Sequence, residues 1–180
     1  MRPALFRGRE AARSAERSRC QTMRLIKLSG RLQTIADFIE EGAAVADIGT
    51  DHGFLPVFLA QTGRASRIIA SDMSAGSLMA ARRSAGKYDV DEKIEFIVAP
   101  GLSGVSEADA DTIVIAGVGG ETIIGILEGA PWTKKGKRLI LQPQTKKAEL
   151  LGFLYENGYT VLETAQTQDR GREYTVLLVT

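Results

Sequence analysis

The sequence has little of what several common enzyme classes require. It contains one cysteine, Cys20, and one histidine, His52, among 180 residues. A lone cysteine excludes an internal disulfide, and a zinc site needs several Cys, His or acidic ligands grouped together, which are not seen here. We therefore predict a protein without a metal site in a reducing, cytoplasmic compartment.

Long apolar runs and two common catalytic motifs are also missing. No run approaches the ~20 apolar residues of a membrane helix, so we expect no membrane association. The G-x-S-x-G turn of many hydrolases does not occur, and neither does the G-x-x-x-x-G-K-[ST] loop of nucleoside triphosphatases. These absences disfavour a serine hydrolase and a P-loop enzyme.

Net charge is small, but it is unevenly distributed. The whole chain carries +1, and residues 1–22 hold six arginines and two glutamates, a net of +4. Residues 23–180 therefore carry −3, from 17 basic and 20 acidic side chains. Any contact with RNA must then use local basic patches. We expect residues 1–22 to be a disordered or non-native extension with Met23 as the natural start; a transit peptide and an RNA-binding arm are the alternatives.

The rest of the chain alternates between strand-like and helical patterns, and its 44% apolar composition suffices for one domain at 23–180. A helical period covers 24–42, with Ser29 as N-cap and Gly42 as its end. Strands are predicted at 44–48, 67–71, 94–98, 112–116 and 138–142, and helices at 54–62, 74–87, 121–128 and 146–157. Two last strands, 159–164 and 174–179, suggest a hairpin. The prediction is an α/β, doubly wound (Rossmann-like), seven-stranded, mostly parallel sheet with five strand–helix units and a C-terminal antiparallel hairpin.

The first predicted strand runs into the loop Gly49-Thr50-Asp51-His52-Gly53. A dinucleotide-binding loop, G-x-G-x-x-G, would place a glycine where Asp51 stands. A carboxylate there repels a pyrophosphate and attracts an ammonium or sulfonium group. The loop therefore favours S-adenosylmethionine as cofactor, although a plain polar turn remains possible.

Later loops supply further candidate residues. Asp72 ends the second strand, where an acid commonly binds a ribose, but it could instead cap the next helix. The glycines of 117–120 let a backbone approach a ligand, or serve only a turn. Basic groups such as Lys146-Lys147 could bind phosphates, but for each group alone a solvated face is the simpler interpretation.

Four motifs together resemble one family. Leu28-Ser29-Gly30-Arg31-Leu32, 45–52, 112–120 and 138–143 resemble in order and spacing the bacterial tRNA (adenine(22)-N(1))-methyltransferases, over about residues 25–180. The resemblance implies a class I methyltransferase fold, S-adenosylmethionine as cofactor, and tRNA as partner. The implied cofactor-binding residues are Asp47, Gly49, Asp51, His52, Gly53, Asp72, Met73, Gly101, Ala116, Gly117, Val118 and Gly119. The implied substrate-binding residues are Arg31, Gly120, Gln142 and Pro143. Asp51 and His52 are the candidate catalytic residues, with Asp51 expected to stabilise the cationic purine as it forms.

Two departures from that family shape the expectation. Pro100 stands where the family usually has an acid that binds the cofactor's adenine, and the family's C-terminal helical domain is absent from this sequence. Two alternatives therefore accompany tRNA methylation. One is the same fold acting on another RNA or a small molecule, and the other is a non-catalytic protein that binds nucleosides.

Overall fold

The fold was analysed from a computed structural model that describes residues 24–180. The predicted extension at 1–22 and Met23 lie outside these residues. Residues 24–180 form five α-helices and seven strands. The helices are α1 (Gly30–Asp37), α2 (Phe54–Thr62), α3 (Ala75–Lys87), α4 (Gly120–Glu128) and α5 (Lys147–Glu156). The strands are β1 (Ala43–Ile48), β2 (Ala65–Asp72), β3 (Glu95–Val98), β4 (Thr112–Val118), β5 (Arg138–Pro143), β6 (Val161–Asp169) and β7 (Arg172–Val179).

The strands form one sheet in the order β3-β2-β1-β4-β5-β7-β6. All pairs from β3 to β5 are parallel, and β7 is antiparallel to both β5 and β6. This confirms the predicted seven-stranded, mostly parallel sheet with a terminal hairpin. The order reverses between β1 and β4, and ligands bind outside the carboxyl ends of the strands at such a switch point.

The sheet buries a hydrophobic cluster on each face. Alternate residues of the central strands point to opposite clusters, as in β1, where Val45 belongs to one and Ala46 to the other. Both residues have no exposed surface. The near-continuous apolar character of β1 and β4 follows, because a parallel strand covered on both faces has no side for solvent. The core thus fixes the ends of β1 and β4 firmly.

Two serines begin helices as their sequence positions suggest. The Ser29 hydroxyl accepts a hydrogen bond from the Leu32 amide at the start of α1, and Ser74 accepts one from the Ser77 amide at the start of α3. A side-chain cap of this kind satisfies an amide that has no partner inside the helix. Ser29 as N-cap is therefore confirmed.

Two predicted elements were wrong. The helical pattern at 24–42 gives a helix only over Gly30–Asp37; the segment before it is not helical, and the Ile26 amide donates to the Gln61 side chain at 2.8 Å. The predicted count of five strand–helix units is also wrong: only turns lie between β3 and β4, so residues 24–180 contain four such units. Gly42 does not end α1 but leads into β1, where its amide donates to the Arg64 carbonyl at 2.7 Å.

None of the helices within residues 24–180 combines the length and apolar character needed to cross a lipid bilayer.

Candidate functional site

A cleft of about 960 Å³ lies at the carboxyl ends of β1, β2 and β4. It is the position that the switch point between β1 and β4 predicts. Eleven of the residues singled out in the sequence line it: Arg31, Asp47, Gly49, Asp51, His52, Asp72, Met73, Gly101, Ala116, Gly117 and Val118. Residues far apart in the chain are thus brought together by the fold.

The loop after β1 is shaped by its backbone. Gly49 has φ +76°, a conformation that favours glycine, and the amides of Gly49 and Thr50 both donate to the Ser71 carbonyl, at 2.8 and 3.1 Å. Asp51 also has a positive φ, +52°. The loop is therefore tied to the end of β2, and its acidic side chain projects from a tight turn.

Asp47 is the buried acid of the site. Its side chain is 7% exposed, and burial raises the pKa of its carboxyl to about 6. The nearby Thr50 hydroxyl and the Arg31 guanidinium oppose that rise in pKa, while Asp72 adds to it. The buried Thr50 hydroxyl oxygen nevertheless has no partner within hydrogen-bond geometry among residues 24–180. A carboxylate so poorly solvated is stabilised by a bound cation.

Asp72 connects two loops through both oxygens. One oxygen accepts a hydrogen bond from the Ser74 amide at 2.8 Å, and the other accepts one from the Asp51 amide at 3.2 Å. The N-cap of α3 is Ser74, so Asp72 is not the capping residue of that helix. Each carboxylate oxygen has a further lone pair, which leaves capacity for a ligand hydroxyl.

Asp51 and His52 lie at the mouth of the cleft. Their side chains are 71% and 59% exposed, and the His52 Nε2 atom is 3.8 Å from the Asp51 carboxylate. The His52 ring stacks on Phe54 with centroids 5.6 Å apart. Both side chains can therefore reach a ligand that enters from solvent.

Arg31 is held in the cleft by two residues from the opposite half of the chain. Its Nη1 atom donates to the Oε1 atom of Gln142 at 2.9 Å, and its guanidinium lies 5.7 Å from the centre of the Tyr174 ring. Gln142 has no exposed surface. A Cβ added at Gly117 would lie 3.0 Å from Nη1, so the absence of a side chain there gives the guanidinium room.

Five of the singled-out residues do not line the cleft: Gly53, Gly119, Gly120, Gln142 and Pro143. Gly53 contacts α3, because a Cβ there would lie 2.8 Å from that of Ala81. Gly120 approaches the Lys146 carbonyl so closely that no side chain fits. Pro143 is paired with Val118 at the end of β5, and Gln142 acts behind Arg31. These five positions lie outside the lining of the cleft, and their contacts with cofactor or substrate stay predictions.

Some residues of the cleft were missed in the sequence. They include Thr50, Phe54, Gln144, Arg170 and Tyr174; Lys27, which also lines the cleft, is predicted from the sequence only as a possible phosphate contact. The hairpin residues reach the cleft because β7 runs antiparallel to β5 and begins beside the carboxyl end of β5, a pairing that the sequence alone did not give. Gln144 directly follows the Pro143 that the sequence analysis named.

Charge is divided between the walls of the cleft. The ends of β1 and β2 supply Asp47, Asp51 and Asp72. The segment before α1, α1 itself and the hairpin supply Lys27, Arg31 and Arg170, with Asp169 as the one acid on that side. Such a cleft can hold a ligand with cationic and anionic groups at once. No group of three or more His, Cys, Asp or Glu side chains in residues 24–180 is arranged to hold a metal ion.

Pro100 lines the cleft at the end of β3. The Gly101 after it has φ +55°, and a Cβ there would lie 3.1 Å from Ile126. This wall is apolar at the position where the family usually has an acid. An aromatic ring bound there would be held by van der Waals contacts more than by hydrogen bonds.

A methyltransferase-domain family model matches residues 28–177. The tRNA (adenine(22)-N(1))-methyltransferase of Bacillus subtilis is 37% identical over 157 residues, which cover 87% of this chain and 66% of that protein. The chain thus spans about two thirds of the length of this curated relative.

Solved structures agree in fold. The B. subtilis m1A22 tRNA methyltransferase has a TM-score of 0.78 at 35% identity, covering 86% of this chain and 66% of that one. Streptococcus pneumoniae Sp1610, in complex with S-adenosyl-L-methionine, has a TM-score of 0.78 at 33% identity, covering 83% and 71%. An enzyme of this group from M. capricolum was solved with S-adenosyl-homocysteine; its TM-score is 0.76 at 27% identity, covering 85% and 68%.

Proposed function

Because the chain belongs to the family of bacterial tRNA (adenine(22)-N(1))-methyltransferases, we propose that it transfers a methyl group from S-adenosylmethionine to N1 of an adenine, at position 22, in tRNA. The observation that carries the proposal is the buried, poorly solvated carboxyl of Asp47 in a cleft at the switch point of the sheet. A cationic ligand would stabilise the charged form of this carboxyl, and the proposed cofactor carries an ammonium and a sulfonium.

The residues of the cleft fit that cofactor. Asp47 would face the ammonium group, Asp72 would accept hydrogen bonds from the ribose, and Arg31 would pair with the carboxylate. Met73 and the apolar wall at Pro100 would contact the adenine ring. When bound, S-adenosylmethionine supplies an electrophilic methyl group attached to a sulfonium.

The chain has little proton chemistry to perform. N1 of adenine has its own lone pair, so no base is needed to activate it, and the task of the cleft is to hold the adenine in line with the methyl group. Proximity and orientation contribute up to roughly 7–11 kcal/mol in favourable cases. Arg31, fixed by Gln142 and Tyr174, and Asp72, fixed by two backbone amides, are organised for such positioning.

Asp51 is the proposed electrostatic partner of the product. The methylated adenine is formed as a cation, and the Asp51 carboxylate at the mouth of the cleft would stabilise that charge. His52, stacked on Phe54, would shape the entrance through which an adenine released from its stack must pass.

The test is mass spectrometry of nucleosides from unmodified tRNA incubated with the protein and S-adenosylmethionine. We expect N1-methyladenosine to appear in proportion to time and enzyme, and to be absent with the Asp72→Ala variant. Methylation of a different nucleoside would indicate another RNA substrate or atom. No methylated nucleoside, together with no binding of S-adenosylhomocysteine in calorimetry, would refute the enzyme function altogether.

A further inference from the structure

A second, smaller groove of about 410 Å³ lies beside the cofactor cleft. It is formed by the segment between β5 and α5 and by the first residues of β7. Gln144 and Tyr174 line both spaces, so the groove and the cleft are adjacent. A long ligand can therefore occupy both at the same time.

The groove is basic, in a domain that is not. Its lining includes Lys146, Lys147 and Arg172 against one acid, Glu173. Residues 23–180 together carry −3, so their overall field does not attract RNA, and a local excess of cations is needed for contact with phosphates.

Two of these cations have no carboxylate partner in the part of the chain described. Lys147 donates to the Thr175 hydroxyl at 3.3 Å, and no acidic oxygen of residues 24–180 lies within 4.0 Å of either Lys147 or Arg172. Lys146 differs, because its ammonium pairs with Glu149 at 3.1 Å and with Glu121 at 4.0 Å. The unpaired charges of the groove are thus those of Lys147 and Arg172.

Basic residues elsewhere in the domain are often used within the fold. Arg67 pairs with Glu95 and Asp109, and Arg138 pairs with Glu40. Arg82 lies over the Phe96 ring at 4.6 Å. The groove therefore differs from these positions in having cations that remain available to a ligand.

We propose that this groove binds the RNA backbone next to the target adenine, with Lys147 and Arg172 contacting its phosphates. This inference rests on the proposed function, since it takes the substrate to be RNA. Arg170 lies in the turn between β6 and β7, two positions before Arg172. It lines the cofactor cleft and extends the basic surface toward the reacting base. The groove would fix the strand while its adenine enters the cleft.

The test compares two double variants with the same change in charge. Lys147→Glu with Arg172→Glu alters the groove, and Arg83→Glu with Lys87→Glu alters two exposed residues of α3 that line neither space. Binding of an unmodified tRNA transcript is measured over a range of salt concentrations, together with the KM for tRNA and the affinity for S-adenosylhomocysteine.

We expect the groove variant to bind tRNA at least about tenfold more weakly, and its slope of log affinity against log salt to fall by about 2, one for each lost phosphate contact. Its KM for tRNA should rise while its affinity for S-adenosylhomocysteine is retained. The α3 variant should keep most of the affinity. Equal losses in both variants, no loss in the groove variant, or no tRNA binding by the unaltered protein would each overturn the inference. The proposed function is judged separately, by whether the unaltered protein forms N1-methyladenosine.

Discussion

The buried carboxyl of Asp47 makes the stability of the protein depend on pH. Burial raises the pKa of its carboxyl from 3.8 to about 6, so the folded state binds a proton that the unfolded state has lost between these pH values. The contribution of Asp47 to the stability of the unliganded protein is therefore most favourable below pH 4 and is lost as pH rises through 6.

Replacing Asp47 with Asn removes that dependence. The gain in free energy of unfolding over the unaltered protein should grow between pH 4 and pH 7, by up to about 3 kcal/mol. Urea unfolding at several pH values measures it. The same variant should lose affinity for S-adenosylmethionine, and the unaltered protein should lose affinity as pH falls below 6. A pH-independent difference in stability would show that the carboxyl titrates normally.

Gln142 is predicted to act through Arg31. Gln142→Leu removes the acceptor 2.9 Å from Nη1, so the guanidinium is no longer fixed in the cleft. A hydrogen bond to a charged group contributes about 1.5–3 kcal/mol, and we expect the KM for S-adenosylmethionine to rise about tenfold or more. Steady-state kinetics test this.

The matched control for Gln142→Leu is Gln33→Leu, the same replacement at an exposed position of α1. Its Nε2 atom bonds only to Asp37 on the surface, so kinetics should be unchanged. If Gln142→Leu leaves the KM unaltered as well, the position of Arg31 does not depend on Gln142.

At the scale of the elements, some glycines of the site pack against neighbouring elements and do not line the cleft. Gly120 lies where α4 begins, and its Cα faces the Lys146 carbonyl before α5. An alanine there must displace backbone, which costs about 1–3 kcal/mol. Gly120→Ala should therefore lower the free energy of unfolding by that amount, as measured in urea.

Gly125→Ala on the same helix is the control with the opposite sign. No atom of the described residues 24–180 lies within 4 Å of a Cβ added there, and the residue is exposed. The free energy of unfolding should therefore rise by about 1 kcal/mol. If both variants shift stability in the same direction, the close approach at Gly120 is not the cause.

The elements also show what local sequence can and cannot predict. The apolar run at 112–116 identified β4, and Ser29 identified the start of α1, because these signals are local. The predicted helix at 24–42 began too early, because the Ile26 amide is bound by the Gln61 side chain, a partner 35 positions away that has no local signal. Similarly, Gly53 and Gly120 looked like ligand-facing glycines, and only their neighbours across the fold reveal contacts with Ala81 and Lys146.

At the scale of the molecule, the cleft was predictable in outline and not in detail. The topology of a doubly wound sheet indicates its place, and the acids after β1 and β2 indicate its chemistry. The pairing of Arg31 with Gln142 joins residues 111 positions apart and has no local signal. The position of Tyr174 depends on the hairpin returning beside β5, which required the direction of β7 to be known.

The central claim, that this cleft directs a methyl group to N1 of one tRNA adenine, is tested most directly by mapping the methylated position. N1 lies on the base-pairing edge, so its methylation stops reverse transcription. With S-adenosylmethionine, the protein is predicted to create a stop immediately 3′ of position 22 in a transcript with adenine there. The stop should be absent when that adenine is replaced by guanine, and when Asp72→Ala replaces the unaltered protein. A stop at another position, or none in the adenine-22 transcript, would contradict the account.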